Sequence, residues 1–182
     1  MKSAWRWVPV LAIVQAAHLL AQAPDLSGTW KLDAARSRVT ASAGLAGLIG
    51  SGAPETLHIT QPANGTVIVE SQINESHSRL YAPGGKTSTP VTVGAPGSIT
   101  MTSQWEGSAL ISEGMRVSTS GPSTVQTAIK EVLRLGPDGR SLVIEVTAKT
   151  DVEMSASTLV YTRTNGVGSC KSWPTPCKTS PN

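Results

Sequence analysis

The sequence predicts an all-β fold, an antiparallel up-and-down β-barrel of eight to ten strands. From Glu55 to Arg163 the chain is a series of short runs in which apolar and polar residues alternate, and the runs are separated by turn residues such as Gly, Pro, Asn and Asp. Phe is absent, whereas Thr, Ser, Val and Gly are abundant, which is typical of strands with an aliphatic interior. No long helical stretch separates the runs, so we expect consecutive hairpins whose sheet closes on itself.

The first 23 residues have the pattern of a secretory signal peptide. Lys2 and Arg6 give a basic start, residues 7–20 are mostly apolar, and Ala21-Gln22-Ala23 fits a cleavage site. Because the apolar run is too short to span a bilayer, we expect an exported protein, periplasmic or secreted, with no stable membrane anchor after cleavage. Loss of Lys2 and Arg6 lowers the net charge from +3 to +1, which gives no reason to bind nucleic acid.

The predicted domain, residues 24–165, begins with a strand over Gly28-Thr29-Trp30-Lys31-Leu32. The alternation then stops, and we expect a short helical insertion between the first and second strands, with Asp33 as an N-cap. Residues 41–54 are small, apolar and Gly-rich. Two interpretations of this segment stand, a lid over one end of the barrel and a mobile surface loop. Three apolar side chains would share one face of a helix there: Leu45, Leu48 and Ile49.

Nine further runs read as strands, and the turns between them carry Gly, Pro, Asn or Asp. Pro90 predicts that its strand is an edge or contains a bulge, because proline cannot donate to a ladder. The predicted strands cover residues 56–61, 66–73, 76–81, 87–93, 99–105, 108–119, 124–135, 140–150 and 155–163.

The C-terminal segment, residues 166–182, contains the two cysteines of the chain, Cys170 and Cys177. In an exported protein such a pair predicts a disulfide that closes a small loop. Six residues separate the two thiols and no histidine is near them, which disfavours a metal site.

Two early residues and one late residue predict how the barrel closes. Trp30 offers a large flat plug for one end, and Gly28 allows the backbone to approach a neighbour closely. Arg163, on the last predicted strand, can stack its guanidinium on the indole and donate to backbone carbonyls.

Residues Ser27 to about Arg163 resemble a calycin barrel, the lipocalin and fatty-acid-binding group, and most of all the fatty-acid-binding type. The resemblance rests on Gly28-x-Trp30, on the excursion between the first two strands and on Gln104-Trp105-Glu106-Gly107 at a late hairpin. The chain also resembles the exported lipocalin-like domains of soil bacteria. The resemblance implies a barrel around a cavity that holds a small apolar molecule, without a cofactor.

One departure from the fatty-acid-binding pattern concerns the last strand. That family presents Arg-x-Tyr there to hold a carboxylate, whereas this chain has Tyr161-x-Arg163. The reversed order argues against a carboxylate site on this strand and favours Arg163 as the partner of Trp30.

Two charged residues are candidates for the barrel interior. Glu131 is in phase with Ile129 and Leu133, so it would need a hydrogen-bond donor if that face points inward. Arg116 would be that donor if its own face points inward, but the opposite phase, or a position of both charges in solvent, is also open. The candidate ligand-binding residues are Met101, Trp105, Arg116, Glu131 and Tyr161.

The sequence contains no catalytic constellation that we recognise. No serine lies in Gly-x-Ser-x-Gly, and His77 shares a strand face with Glu75 but lacks a third metal ligand. His58 alternates with Leu57 and Ile59 and is expected to face water. We therefore expect an exported, non-catalytic barrel without metal that binds a small apolar or amphipathic ligand. The alternative is a structural or interaction module of the cell envelope with a filled barrel, and the oligomeric state is left open.

Overall fold

A computed structural model describes residues 23–40, 53–73, 75–91 and 97–164 of the chain. Every regular element in these ranges is a β-strand, and the strands lie within about two residues of the predicted runs. They are β1 (Gly28–Leu32), β2 (Thr56–Thr60), β3 (Val67–Ile73), β4 (Glu75–Tyr81), β5 (Lys86–Val91), β6 (Gly97–Glu106), β7 (Ala109–Ser120), β8 (Ser123–Leu135), β9 (Ser141–Lys149) and β10 (Met154–Thr164).

The ten strands form one antiparallel meander in the order β4-β3-β2-β1-β10-β9-β8-β7-β6-β5. The first and last strands are neighbours, with Trp30 opposite Arg163 and Leu32 opposite Tyr161. We call this pairing the seam. In the described part of the chain no ladder joins β4 to β5, so these two strands are the edges of a nearly closed barrel. Pro90 lies in β5. This edge position tolerates a proline, which lacks the N–H group that a ladder needs on each paired side.

The predicted helical insertion is not seen where the structure describes the chain after β1. Asp33 Oδ1 accepts a hydrogen bond from the Arg36 amide at 3.1 Å, and this closes a turn rather than a helix. The chain then rejoins the sheet, because Arg38 and Thr158 exchange both backbone hydrogen bonds. The rest of the predicted insertion, with Leu45, Leu48 and Ile49, lies outside the described residues, as do the predicted signal peptide up to residue 22 and both cysteines.

Alternate residues of each strand point into the barrel, and the largest of them gather at the end where Trp30 lies. Burial of this apolar surface is the main force that holds the sheet closed. The buried apolar cluster that begins at this end and continues along β9 consists of Leu26, Trp30, Leu57, Ile59, Val67, Val69, Tyr81, Leu110, Leu133, Leu142, Ile144, Val146, Ala148, Leu159 and Tyr161. Among the described residues, no helix is long and apolar enough to cross a membrane.

A glycine permits the close approach of β6 and β7. A Cβ atom on Gly114 would collide with the backbone oxygen of Thr100 and would lie 2.7 Å from Sδ of Met101. No side chain fits that space, so glycine is required where these two strands approach each other.

Candidate functional site in the barrel interior

The Trp30 end of the barrel is closed by stacking and by backbone hydrogen bonds. Trp30 is fully buried, and Cζ of Arg163 lies 4.4 Å from the centre of its ring. Trp30 Nε1 donates to the carbonyl of Leu26 at 3.0 Å, and Arg163 Nη1 donates to the carbonyl of Ser27 at 2.9 Å. A Cβ on Gly28 would lie 3.5 Å from Arg163 Nη1, an ordinary contact, so it is the backbone φ of +141° that favours glycine here. The stack expected from the sequence is therefore present.

Three successive rows of inward-facing residues across β6 to β10 describe how the interior changes along the barrel. Nearest the Trp30 end is the filled row, whose members are all large and apolar: Trp105, Leu110, Leu133, Ile144 and Leu159. Next is the polar row: Ser103, Ser112, Glu131, Val146 and Ser157. Beyond it lies the third row: Met101, Gly114, Ile129, Ala148 and Ser155. The interior thus passes from a filled apolar core, through hydroxyl and carboxylate groups, to a mixture of small and apolar side chains.

An ion pair crosses the lumen at the polar row. Arg79 on β4 and Glu131 on β8 are 1% and 0% exposed, and Arg79 Nη2 donates to both carboxylate oxygens at 3.2 Å. The Tyr81 hydroxyl donates to Glu131 Oε2 at 2.8 Å. Since β4 and β8 are not neighbours in the sheet, these bonds tie opposite walls of the barrel together. We call the three side chains the crossbar.

The electrostatics of the crossbar favour a charged pair beside a neutral phenol. Burial raises the pKa of Tyr81 well above its usual value, and the charge of Glu131 raises it further. Burial alone would lower the pKa of Arg79, but the charge and hydrogen bonds of Glu131 and Tyr81 outweigh it, so the net pKa is raised. The carboxylate accepts three hydrogen bonds and the guanidinium keeps its charge.

Part of the crossbar has no partner within the described chain. Arg79 carries five N–H groups, and those on Nε and Nη1 are buried without a hydrogen bond. The Ser71 hydroxyl, on the adjacent strand β3, is likewise buried without one. Val69 pairs with Arg79 and Ser71 pairs with His77, so Ser71 is the diagonal neighbour of Arg79 on the same face. Because buried polar groups are nearly always hydrogen-bonded, these atoms are the candidates for binding a polar group that is not part of the described chain.

The candidate ligand-binding residues occupy different levels of the barrel. Tyr161 belongs to the core, and its hydroxyl donates to the carbonyl of Pro54 at 3.1 Å, while Trp105 packs partly buried against the same core. Met101 forms a second apolar cluster with Ile99 and Ile129 beyond the polar row. Arg116 is opposite Ile99, on the inward face and only partly buried.

Of the alternatives left open by the sequence, Glu131 lies inside the barrel, but Arg116 is not its donor. Its partners are Arg79 and Tyr81, whereas Arg116 lies on the far side of the third row. Partners that meet across a lumen leave no trace in local periodicity. The available signal was the hairpin of β3 and β4, where Arg79 and Tyr81 share the phase of Val69 and Val67. The Arg-x-Tyr spacing that is missing from the last strand is therefore present on β4, with both side chains inward.

His58 points away from the lumen, as its alternation predicted, but the expectation that it faces water is wrong. It is 1% exposed, and its cross-strand neighbour Glu70 is 0% exposed. The hydroxyls of Thr29 and Thr60 lie 3.4 Å from the two ring nitrogens. Burial lowers the pKa of His58 below its usual 6.5, which favours the neutral imidazole.

A hollow of about 310 Å³ lies on the outside of the sheet formed by β7, β8 and β9. Its lining includes Glu113, Lys130, Thr147 and Lys149, which point away from the lumen, so it is not a cavity of the barrel interior. Within the described ranges, no group of three His, Cys, Asp or Glu residues is arranged to hold a metal ion.

Comparison with known proteins identifies a likeness of fold. No family model matches the chain, and no curated protein matches its sequence. A solved structure described as a REP1-NXSQ fatty acid transporter superposes with a TM-score of 0.53 at 14% sequence identity. The superposition covers 78% of this chain and 97% of that one. The likeness is one of fold and agrees with the predicted antiparallel barrel of eight to ten strands, while membership of the calycins stays a prediction.

Proposed function

We propose that this chain is an exported carrier that binds a small amphipathic molecule inside its barrel. One observation carries the proposal, namely the change from the filled row to the third row. Leu133, Ile144 and Leu159 occupy the lumen near Trp30, whereas the equivalent third-row positions on β9 and β10 carry Ala148 and Ser155. From these small inward side chains we infer room for a ligand, because ligand sites combine apolar walls with a few convergent polar groups.

The chemistry of the lining determines the class of ligand. Ile99, Met101 and Ile129 form an apolar wall, while Arg79 and the serines of the polar row form a polar floor. A molecule with an apolar part and a polar end matches both surfaces. A large apolar ligand would leave the buried N–H groups of Arg79 without partners, which costs free energy.

Export is part of the proposal because of the basic and apolar pattern of residues 1–23. The fatty acid transporter that shares this fold supports a carrier role in general terms. Among the described residues that face the lumen we find no set suited to covalent chemistry, and the role that we propose is binding without turnover.

A filling variant tests this role. Ser155→Phe would place a ring in the lumen at a site that is 7% exposed, whereas Ala156→Phe places the same ring on the exposed outer face one residue later. We expect a fluorescent amphipathic probe to bind the unaltered protein and the Ala156→Phe variant but not Ser155→Phe. If no probe binds the unaltered protein, and native mass spectrometry of protein from its own host shows no co-purifying mass, the filled structural module is the better description.

A further inference from the structure

The unsatisfied donors of Arg79 specify the polar end of the ligand more narrowly. Arg79 is 1% exposed and uses only Nη2 in the crossbar. The N–H groups of Nε and Nη1 have no acceptor among the described residues. Those groups are donors only, so whatever satisfies them must present an acceptor atom.

The net charge of the crossbar determines whether an anionic or a neutral acceptor binds more favourably beside it. Arg79 and Glu131 form a buried pair whose charges cancel. A carboxylate placed beside this pair would add one uncompensated negative charge in a space shielded from water, which is unfavourable. A carbonyl or ether oxygen accepts the same hydrogen bonds and adds no charge.

Arg116, which also has the inward phase, is too far away to compensate an anion at this position. Arg116 is four residues along β7 from Ser112, the partner of Glu131, which is about 13 Å at about 3.3 Å per strand residue. It is also only partly buried, so solvent screens its charge.

We propose that the ligand is a neutral amphipathic molecule whose polar end is an oxygen acceptor, such as an ester, lactone, ketone or amide carbonyl, bound by Arg79 Nε or Nη1 beside Ser71. This inference rests on the proposed function. The carbonyl lies at the polar row, and the apolar part extends along Met101 and Ile129 towards the end opposite Trp30. Ser71 donates its hydroxyl to a second acceptor oxygen when the ligand carries one.

The test compares three probes that share one chain: methyl dodecanoate, dodecanoate and dodecane. Dissociation constants are measured at pH 7.5 by displacement of a fluorescent amphipathic probe from the full mature chain. We expect the ester to bind at least about tenfold more tightly than either other probe, since one good hydrogen bond to a charged donor is worth about a factor of ten or more. A tighter affinity for dodecanoate than for the ester overturns the inference.

Variants of the crossbar give opposite predictions for ester and acid. Glu131→Gln leaves Arg79 as an uncompensated cation, so dodecanoate should gain at least about tenfold and overtake the ester. Arg79→Met combined with Glu131→Gln removes both charges and the free donors, so ester and dodecane should then differ by less than about threefold. Arg134→Gln is the matched control. Arg134 lies on the same strand as Glu131 but on its outer face, where it is ion-paired with Glu145 of the neighbouring strand.

The outcomes distinguish this inference from the proposed function. If none of the three probes binds, although circular dichroism shows a folded barrel, both proposals fail. If all three bind equally, the carrier role stands and the neutral-acceptor inference is wrong. An unchanged order of affinities in Glu131→Gln also overturns the inference, provided that the variant keeps a cooperative urea transition.

Discussion

Trp30 is the side chain that we expect to contribute most to the stability of the seam. It is fully buried, stacks under Arg163 and donates to Leu26. We expect Trp30→Ala to lower the free energy of unfolding by about 3–5 kcal/mol in a urea titration, because a large buried aromatic leaves a cavity. Trp105→Ala, at a half-buried indole, is the matched control and should cost clearly less. Equal losses would contradict the closing role of Trp30.

The crossbar makes a different prediction, because its two charges depend on each other. Arg79→Met leaves Glu131 buried without its cation and should cost about 3–5 kcal/mol. Adding Glu131→Gln removes the stranded charge and keeps an acceptor for the Tyr81 hydroxyl, so the double variant should be more stable than Arg79→Met alone. Urea titrations of the two variants measure this coupling. Additive losses would mean that the charges act independently.

His58 predicts a pH dependence of stability with a definite sign. Burial lowers its pKa below 6.5 in the folded chain, whereas the unfolded chain keeps the usual value. The unfolded state therefore binds the extra proton first, so stability is constant above about pH 6.5 and falls as the pH drops from there towards the lowered pKa. Urea titrations between pH 7.5 and 5.5 should show this fall, and His58→Gln should flatten it. A stability that rises towards pH 5.5 would show that Glu70 governs the site instead.

At the scale of a strand, Gly114 determines how closely β6 and β7 approach each other. We expect Gly114→Ala to cost about 1–3 kcal/mol, because the added Cβ would meet the backbone of Thr100, which cannot move aside cheaply. Gly65→Asn is the control, since a Cβ there meets nothing within 4 Å and asparagine is among the side chains that best tolerate φ +80°. Its cost in the same denaturation experiment should be the backbone strain alone, below about 1 kcal/mol. A neutral Gly114→Ala would mean that the two strands can separate enough to admit a side chain.

The strands themselves were predictable because each carries its own signal. Alternation and turn residues located them, and Pro90 identified an edge strand. Asp33 was interpreted as a helix cap, but the same side-chain bond to the third amide also closes an isolated turn. Local sequence does not distinguish a helix cap from an isolated turn. The path of the chain after Asp33 depends instead on its pairing with the backbone of β10.

The interior was less predictable than the strands. Arg79 lies among polar residues in a strand with little apolar contrast, so neither its inward phase nor its partner was apparent. Its partner Glu131 is 52 residues away, on a strand that meets β4 only across the lumen. A contact of this kind depends on the curvature of the whole sheet, which no short window of sequence contains.

At the scale of the whole molecule, the unpaired edges make one region of the barrel easier to open. β4 and β5 each pair on one side only in the described chain, whereas β9 is paired on both sides. We therefore expect hydrogen exchange to be faster at the edge-facing amides of β4 and β5 than in β9, because local opening there breaks fewer bonds. Exchange measured by mass spectrometry or NMR checks this. Equal protection would mean that the two edges pair in solution.

The seam also has a consequence for the order of folding. The hydroxyl of Thr164 donates to the carbonyl of Thr29, and 135 residues separate the two. Such a remote contact forms slowly, because the intervening chain loses much conformational freedom before the pair is made. A nascent chain that has not yet released β10 cannot cover Trp30 with Arg163, and its β1 strand keeps a bare hydrogen-bonding edge. Closure of the barrel is thereby delayed until β10 has been synthesised, and until then the exposed apolar surface and the unpaired edge of β1 make the chain prone to aggregation.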